Sequence, residues 1–215
     1  MHTEQLGDYT LTLTPACFPL GEDSLALARF ASLRPGWRVC DLGCGGGTLL
    51  LLLARRQSAL ALTGVELDPA AARCARDNLA ANGLEGAILT ADLRERGLLP
   101  NEGFQLVISN PPYFAPERGG SGGPARCGEQ CTLEELCSAA NRLLPTGGRF
   151  ALVCRPERLA ELFSALRAHR LEPKRLQPMA HTPAAAPSAL LVEAVKNGKL
   201  GLDFLPTRFH IQDPH

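Results

Sequence analysis

Short apolar runs alternate with amphipathic stretches along most of the chain. WRVCDL (37–42), LALTGVEL (60–67), GAILTADL (86–93) and FQLVISN (104–110) read as strands. Their interiors are almost continuously apolar, the pattern of strands buried on both faces. A leucine-rich helix is predicted between the first two, over 47–57. A second is predicted over 69–81, opened by Asp68 as N-cap and Pro69 at the first helical position, and stopped by Asn82-Gly83. Strands and helices alternating in this way predict a parallel sheet covered on both faces.

The second half continues the pattern after a glycine-rich loop at 119–123. A helix is expected over about 131–144, with Thr132 as cap and Glu135 three residues on. A turn over 145–148 leads to RFALVC (149–154), a fifth strand, and Pro156 opens a helix to about His169. RLQPMAH (175–181) and ALLVEAV (189–195) are the last two strands. Too few residues separate them for a crossover helix, so this pair is expected to be antiparallel. The reading is an α/β, doubly wound, seven-stranded, mostly parallel sheet with an antiparallel last strand. No repeat or linker is visible, so residues 1–215 read as a single domain, with 1–35 ahead of a core at 36–215.

Three strand ends carry candidate chemistry. DLGCGGGT (41–48) follows a strand and opens a helix. Gly43, Gly45 and Gly47 allow a tight turn and close approach of a ligand to the backbone, and the helix N-terminus adds donors. A dinucleotide fingerprint needs Gly or Ala at the last place, where this chain has Thr48. Asp41 at the strand end suits instead a ligand with a cationic amino-acid head, such as S-adenosylmethionine. Glu66 ends the second strand, roughly 20 residues beyond the loop, where an acid can take both ribose hydroxyls. Asp92 ends the third; it can accept from an adenine amino group or cap the segment after it.

VISNPPYF (107–114) ends the fourth strand. Neither Pro111 nor Pro112 has an N–H for a ladder, so a buried strand stops in a rigid turn. In a doubly wound sheet this strand lies beside the first, and ligands bind at their carboxyl ends. The Asn110 amide and the fixed Pro111 carbonyl can accept both N–H bonds of a planar amino group. That localises its otherwise delocalised lone pair toward an incoming methyl group, in a geometry set beforehand. Tyr113 offers a stacking face, worth about 1–3 kcal/mol for a base.

At these residues the sequence resembles the class I methyltransferases that use S-adenosylmethionine, specifically the amino-methylating group with Asn-Pro-Pro-Tyr. Within it the chain resembles the tRNA1(Val) (adenine(37)-N6)-methyltransferase family. The likeness includes FPLGEDSLALARFA (18–31), SNPPYF (109–114), GGRFALVCRPERLAELF (147–163), LEPKRLQP (171–178) and LLVEAVKNGKLGL (190–202), and so spans nearly the whole chain. The resemblance implies a Rossmann-like core. It assigns Asp41, Gly43, Gly45 and Gly47 to the methionine side of the cofactor, Glu66 to the ribose and Asp92 to the cofactor adenine. Asn110, Pro111, Pro112 and Tyr113 hold the target base, and Asn110 also borders the cofactor. Phe18, Asp23 and Ser24 fall in the segment, within 1–35, that covers the cofactor. The implied reaction is N6-methylation of an adenine in RNA, most simply in a tRNA anticodon loop.

Composition adds limits. Lys plus Arg and Asp plus Glu number 22 each, so the net charge is zero. The charge is uneven: residues 1–109 carry −3 and residues 150–215 carry +3. Phe114 is expected at the substrate, and Arg118, Arg126, Lys174, Arg175, Lys196 and Lys199 at RNA phosphates. The eight cysteines include no CxxC pair, so they read as reduced thiols and no metal is expected. No apolar run is long enough for a membrane span and no signal peptide is visible, so a cytoplasmic enzyme is expected. Rival readings are a glutamine N5-methyltransferase acting on a protein such as a release factor, a ribosomal RNA amino methyltransferase, and a non-catalytic RNA- or cofactor-binding module.

Overall fold

The computed structural model describes residues 1–111 and 131–209. An N-terminal hairpin, β1 (His2–Leu6) and β2 (Tyr9–Leu13), precedes helix α1 (Glu22–Phe30). Strands and helices then alternate: β3 (Arg38–Leu42), α2 (Thr48–Arg56), β4 (Ala61–Glu66), α3 (Pro69–Ala81), β5 (Gly86–Thr90) and β6 (Leu106–Ser109). After these come α4 (Leu133–Leu143), β7 (Arg149–Cys154), α5 (Leu159–Ala168), β8 (Leu171–Ala180) and β9 (Ala189–Lys196). Two short strands, β10 (Asp203–Phe204) and β11 (Arg208–Phe209), follow.

The main sheet runs β5-β4-β3-β6-β7-β9-β8, with β10 and β11 each paired to the outer edge of β8. All pairings are parallel except those of β9, which lies antiparallel between β7 and β8. The seven expected strands are therefore present, and the antiparallel one is β9. The edge is longer than expected, because β10 and β11 add two-residue pairings that are too short for an apolar periodicity to reveal. Residues from α1, α2 and α3 pack on one face with Val39 and Ile108. Residues from α4 and α5 pack on the other with Cys40 and Val107. This one-residue alternation explains why strand interiors are apolar throughout.

Local chemistry sets the helix bounds. Asp68 Oδ1 accepts from Ala70 N at 2.7 Å, and Pro69 opens α3 as expected. Thr132 and Glu135 form a reciprocal capping box on α4. The helix expected from Pro156 begins instead as a 3-10 turn over Pro156–Arg158. The third strand stops at Thr90, so Asp92 sits in the turn beyond it.

The hairpin and α1 were not legible as elements. The hairpin is held by two asparagines on α3. Asn78 accepts from Thr12 N (2.9 Å) and donates to Thr12 O (2.9 Å). Asn82 accepts from Thr10 N (2.7 Å) and donates to Thr10 O (2.8 Å). Residues four apart share a helix face, and residues two apart share a strand edge. The two amides thus pair with β2 as a neighbouring strand would. Asn78 also donates to Gly46 O at 2.8 Å, tying the hairpin to the glycine loop.

The far end of α1 is pinned by Glu193, which is fully buried. Its carboxylate accepts from Ser32 N (2.8 Å), Ser32 Oγ (2.9 Å), Arg149 (2.7 Å) and Arg175 (3.3 Å). Arg175 also donates to Phe30 O at 3.0 Å and lies over the Phe30 ring. Arg175, expected at an RNA phosphate, is half-buried and serves Glu193, because a buried carboxylate needs charged and hydrogen-bonded partners. Lys196 is corrected in the same way. It is buried and bonds Glu102, Asn141 O and Leu144 O, holding the last carbonyls of α4. Lys174 donates to the carbonyls of Lys199 and Gly201, fastening the segment before β10.

Replacing Asn78 with alanine strands the Thr12 and Gly46 backbone groups. The thermal midpoint should drop by roughly 5–10 °C, at about 2–4 °C per kcal/mol for a chain of this size. Hydrogen exchange at the Thr12 amide should accelerate while exchange in β6 is unchanged.

Candidate active site

The parallel strands β3 and β6 are neighbours, with Asp41 opposite Ile108. Strand order reverses at this pair, because β4 and β5 lie to one side and β7 to the other. Their carboxyl ends therefore open onto a crevice between two chain directions.

Asp41 is 1% exposed. Neither carboxylate oxygen has a hydrogen-bond partner among the described residues. Burial, and then the charge of Glu66, hold its pKa well above the usual carboxylate range. A buried, unpaired acid is costly unless a cation or donor arrives.

The loop after β3 is fixed on its inner side. Gly43 N and Cys44 N both donate to Val65 O, at 2.8 and 3.1 Å. Gly43 and Gly45 have φ of 77° and 53°, and a Cβ on either would meet nothing within 4 Å. Their outer side is open to a ligand. Gly47 answers a different need: its φ is 83°, and a Cβ there would come 3.2 Å from that of Ala75. The second and third glycines thus separate ligand approach from helix packing. Over the same loop, a Cβ on Gly46 would lie 2.8 Å from Leu13 and 3.1 Å from the Cys17 sulfur. The chain following the hairpin therefore sits directly on the loop backbone.

Glu66 ends β4 and bridges two turns, accepting from Gly45 N (2.8 Å) and Asp68 N (2.9 Å), one on each oxygen. Each oxygen keeps a lone pair for a further donor. Asp92 is engaged differently. Its oxygens take the Arg94 guanidinium at 2.6–2.9 Å and one takes Arg94 N at 2.8 Å. Those hydrogen bonds pull its pKa below the usual value. Arg94 in turn pairs with Glu135 at 3.5 Å, so the turn after β5 is linked to the first turn of α4.

At the end of β6, Ser109 is buried and donates to Leu42 O at 2.7 Å, locking β6 to β3. Asn110 follows, half-buried, with Nδ2 3.0 Å from Ser24 Oγ on α1. Beside Ser24, burial raises the pKa of Asp23, opposed by the charges of Arg155 and His181. Asp41, the glycine loop, Glu66, Asn110 and Pro111 thus lie along one edge of the sheet. Lys174 and Arg175 do not join them: they lie on β8, separated from β6 by β7 and β9. Pro112, Tyr113, Phe114, Arg118 and Arg126 lie outside the described residues. The contact of Ser24 with Asn110 was not foreseen, because the two are 86 positions apart in the chain.

A doubly wound sheet with an antiparallel strand beside its edge, an acid-glycine loop at the switch point and Asn110-Pro111 at the end of the neighbouring strand define a class I methyltransferase. The family model described as "Methyltransferase small domain" matches residues 23–169. The chain is 33% identical over 199 residues to the tRNA1(Val) (adenine(37)-N6)-methyltransferase of Porphyromonas gingivalis, covering 86% of this chain and 77% of that protein. It is 37% identical to the protein of the same name from Dickeya chrysanthemi, over 68% of this chain. That match spans 60% of the Dickeya protein, less than two thirds of its length. The chain belongs to the methyltransferase small domain family and to that of the tRNA1(Val) (adenine(37)-N6)-methyltransferases. Among solved structures, a predicted O-methyltransferase, Atu636 from Agrobacterium tumefaciens, has a TM-score of 0.72 at 26% identity over 90% of each chain. TrmN from Thermus thermophilus has a TM-score of 0.60 at 26% identity, covering 80% of this chain and 48% of TrmN.

S-adenosylmethionine is the cofactor of this class, and the residues present fit it: the Asp41 carboxylate, unpartnered among the described residues, would suit a cationic group, and the open glycine backbone would leave room for it.

Because Asp41 has a raised pKa in the folded protein, the stability it contributes is complete below the unfolded carboxylate range and is lost as pH rises through the folded value. The cofactor-free protein should therefore lose stability as pH rises through that value, and Asp41→Asn should remove this dependence in thermal melts. The same variant should bind S-adenosylhomocysteine roughly 10- to 100-fold more weakly by calorimetry, since a buried charge partner is lost.

Proposed function

We propose that this chain methylates the exocyclic N6 amino group of an adenine in tRNA, in the anticodon loop, and does so in the cytoplasm. The observation that carries the reading is the Asn110–Pro111 pair at the carboxyl end of β6, one strand from the buried carboxylate of Asp41. The relatives named for adenine(37) of tRNA1(Val) support the choice of base and RNA.

When bound, S-adenosylmethionine supplies a methyl group activated by a sulfonium. In this reading Asp41, Gly43, Gly45 and Gly47 hold its amino-acid end. Glu66 takes the ribose hydroxyls with the lone pairs its two backbone bonds leave. Asp92 reaches the cofactor adenine only by sharing its oxygens with Arg94. Residues 1–35 cover this ligand, an assignment supported by Leu13 and Cys17 against Gly46 and by Ser24 against Asn110.

The target adenine leaves its stack at a cost of about a few kcal/mol, least for an unpaired loop base. Its amino nitrogen is a poor nucleophile while its lone pair is spread into the ring. Asn110 Oδ1 and the Pro111 carbonyl accept its two N–H bonds and localise that pair. Pro111 has a fixed φ, and Pro112 restricts the residue before it, so the carbonyl direction is set in advance. Tyr113 and Phe114 supply stacking faces, and Arg126 a phosphate contact. No strong base is required, because the amino proton becomes acidic once the nitrogen is alkylated and water can take it.

The test is transfer of labelled methyl from S-adenosylmethionine to total tRNA, followed by nucleoside analysis. N6-methyladenosine is expected, with Asn110→Ala lowering kcat by about 10²-fold or more. Label on ribosomal RNA, or on glutamine of a protein, would replace the tRNA reading while leaving the amino clamp in place.

A further inference from the structure

The clamp has a requirement that Asn110 cannot meet alone. Its carbonyl oxygen, not its NH2 group, must face the substrate. The amide is nearly symmetric in shape, and turning it over would set one NH2 group against another, donor against donor. The backbone on either side is held, by the Ser109 hydroxyl on Leu42 O and by the proline that follows. The torsion about Cβ–Cγ is not: for asparagine this sp³–sp² rotation is broad and has no sharp staggered wells. An outside group must fix it.

Ser24 is placed for that task. Its hydroxyl lies 3.0 Å from Asn110 Nδ2. The helix beginning at Glu22 is capped by Gly21 with no side-chain hydrogen bond, so the Ser24 hydroxyl is not the N-cap acceptor of that helix. The platform beneath it is rigid. Ala26, Leu27, Ala28 and Phe30 are buried against the sheet, and the helix end is held by Glu193 through Ser32, by Arg175 through Phe30 O and by Arg56 through Ala31 O. A side chain on such an anchored element can hold a partner to a fraction of an ångström, which reactive geometry demands.

We propose that Ser24 is a positioning residue of this enzyme: by accepting from Asn110 Nδ2 it turns Asn110 Oδ1 toward the substrate amino group. This deepens the proposed function and rests on it. Ser24 acts through Asn110, its hydrogen-bond partner. Its effect therefore falls on the rate of methyl transfer and not on assembly of the complex. It also makes the clamp depend on the seating of α1, so the segment over the glycine loop and the substrate clamp form one mechanical unit.

The experiment is a double-mutant cycle with Ser24→Ala, Asn110→Ala and the pair, with Ser24→Thr as the conservative variant. Labelled methyl transfer to tRNA gives kcat and KM, and calorimetry with S-adenosylhomocysteine gives cofactor affinity and confirms folding. Ser24→Ala is expected to lower kcat by roughly 10-fold or more, less than loss of Asn110 itself, with KM for tRNA and cofactor affinity within about 3-fold of wild type. Ser24→Thr keeps the hydroxyl and should stay within about 5-fold of wild-type kcat. In the Asn110→Ala background Ser24→Ala should have no further effect, because the partner through which it acts is gone. Additive losses, a loss confined to KM or cofactor affinity, or full activity of Ser24→Ala would each overturn the proposal while wild-type methylation of adenine upholds the function. Wild-type protein that labels no amino group in tRNA, in ribosomal RNA or on protein glutamine would overturn the amino clamp, and the role of Ser24 with it.

Discussion

The parallel pairing of β3 with β6 is the constraint from which the site follows. Asp41 stands opposite Ile108, and the Ser109 hydroxyl reaches across to Leu42 O at the last rung. Because the strands run the same way, both end at the same edge. Because chain order reverses there, no helix among the described residues crosses the gap between them. The glycine loop leaves one strand and Asn110-Pro111 leaves the other. A one-residue slip of β6 would send Ile108 to the opposite face and carry Asn110 away from α1. The apolar pattern of LVIS is thus also what aims the amide.

The site is less stable than it could be, and the cost is local. Asp41 lies buried without a partner among the described residues, while Glu193, equally buried on the same sheet, has two arginines and a serine. The two acids show the difference between a structural and a receptive carboxylate. One is satisfied within the fold and pins a helix. The other has no partner among the described residues, and burial beside Glu66 suppresses its charge.

Much of this was readable from residues close in the chain. Asp68 with Pro69, Asn82 with Gly83, and Thr132 with Glu135 marked helix ends because capping is a local interaction. The strand ends marked the glycine loop and Asn110 for the same reason. What was not readable depends on pairs far apart. HTEQL and YTLTL form a hairpin whose free edge is satisfied by asparagines more than 60 positions later. Ser24 reads as one polar residue in an amphipathic stretch until Asn110 stands beside it. In the sequence Arg175 and Lys196 show their charge and not their partners in the fold, so they read as RNA contacts. Glu193 within ALLVEAV was the available clue: an acid inside an apolar strand requires cations from the strands on either side.

The Glu193 knot has a consequence for how this protein would be dissected genetically. Arg175 grips the end of α1, and α1 carries Ser24 near its other end. A substitution of Arg175 would remove its hydrogen bond to Phe30 O and loosen the end of the helix, an effect that needs no contact with nucleic acid. A screen scored only on tRNA methylation would place Arg175 on an RNA-binding map, although it sits on β8, three strands from β6.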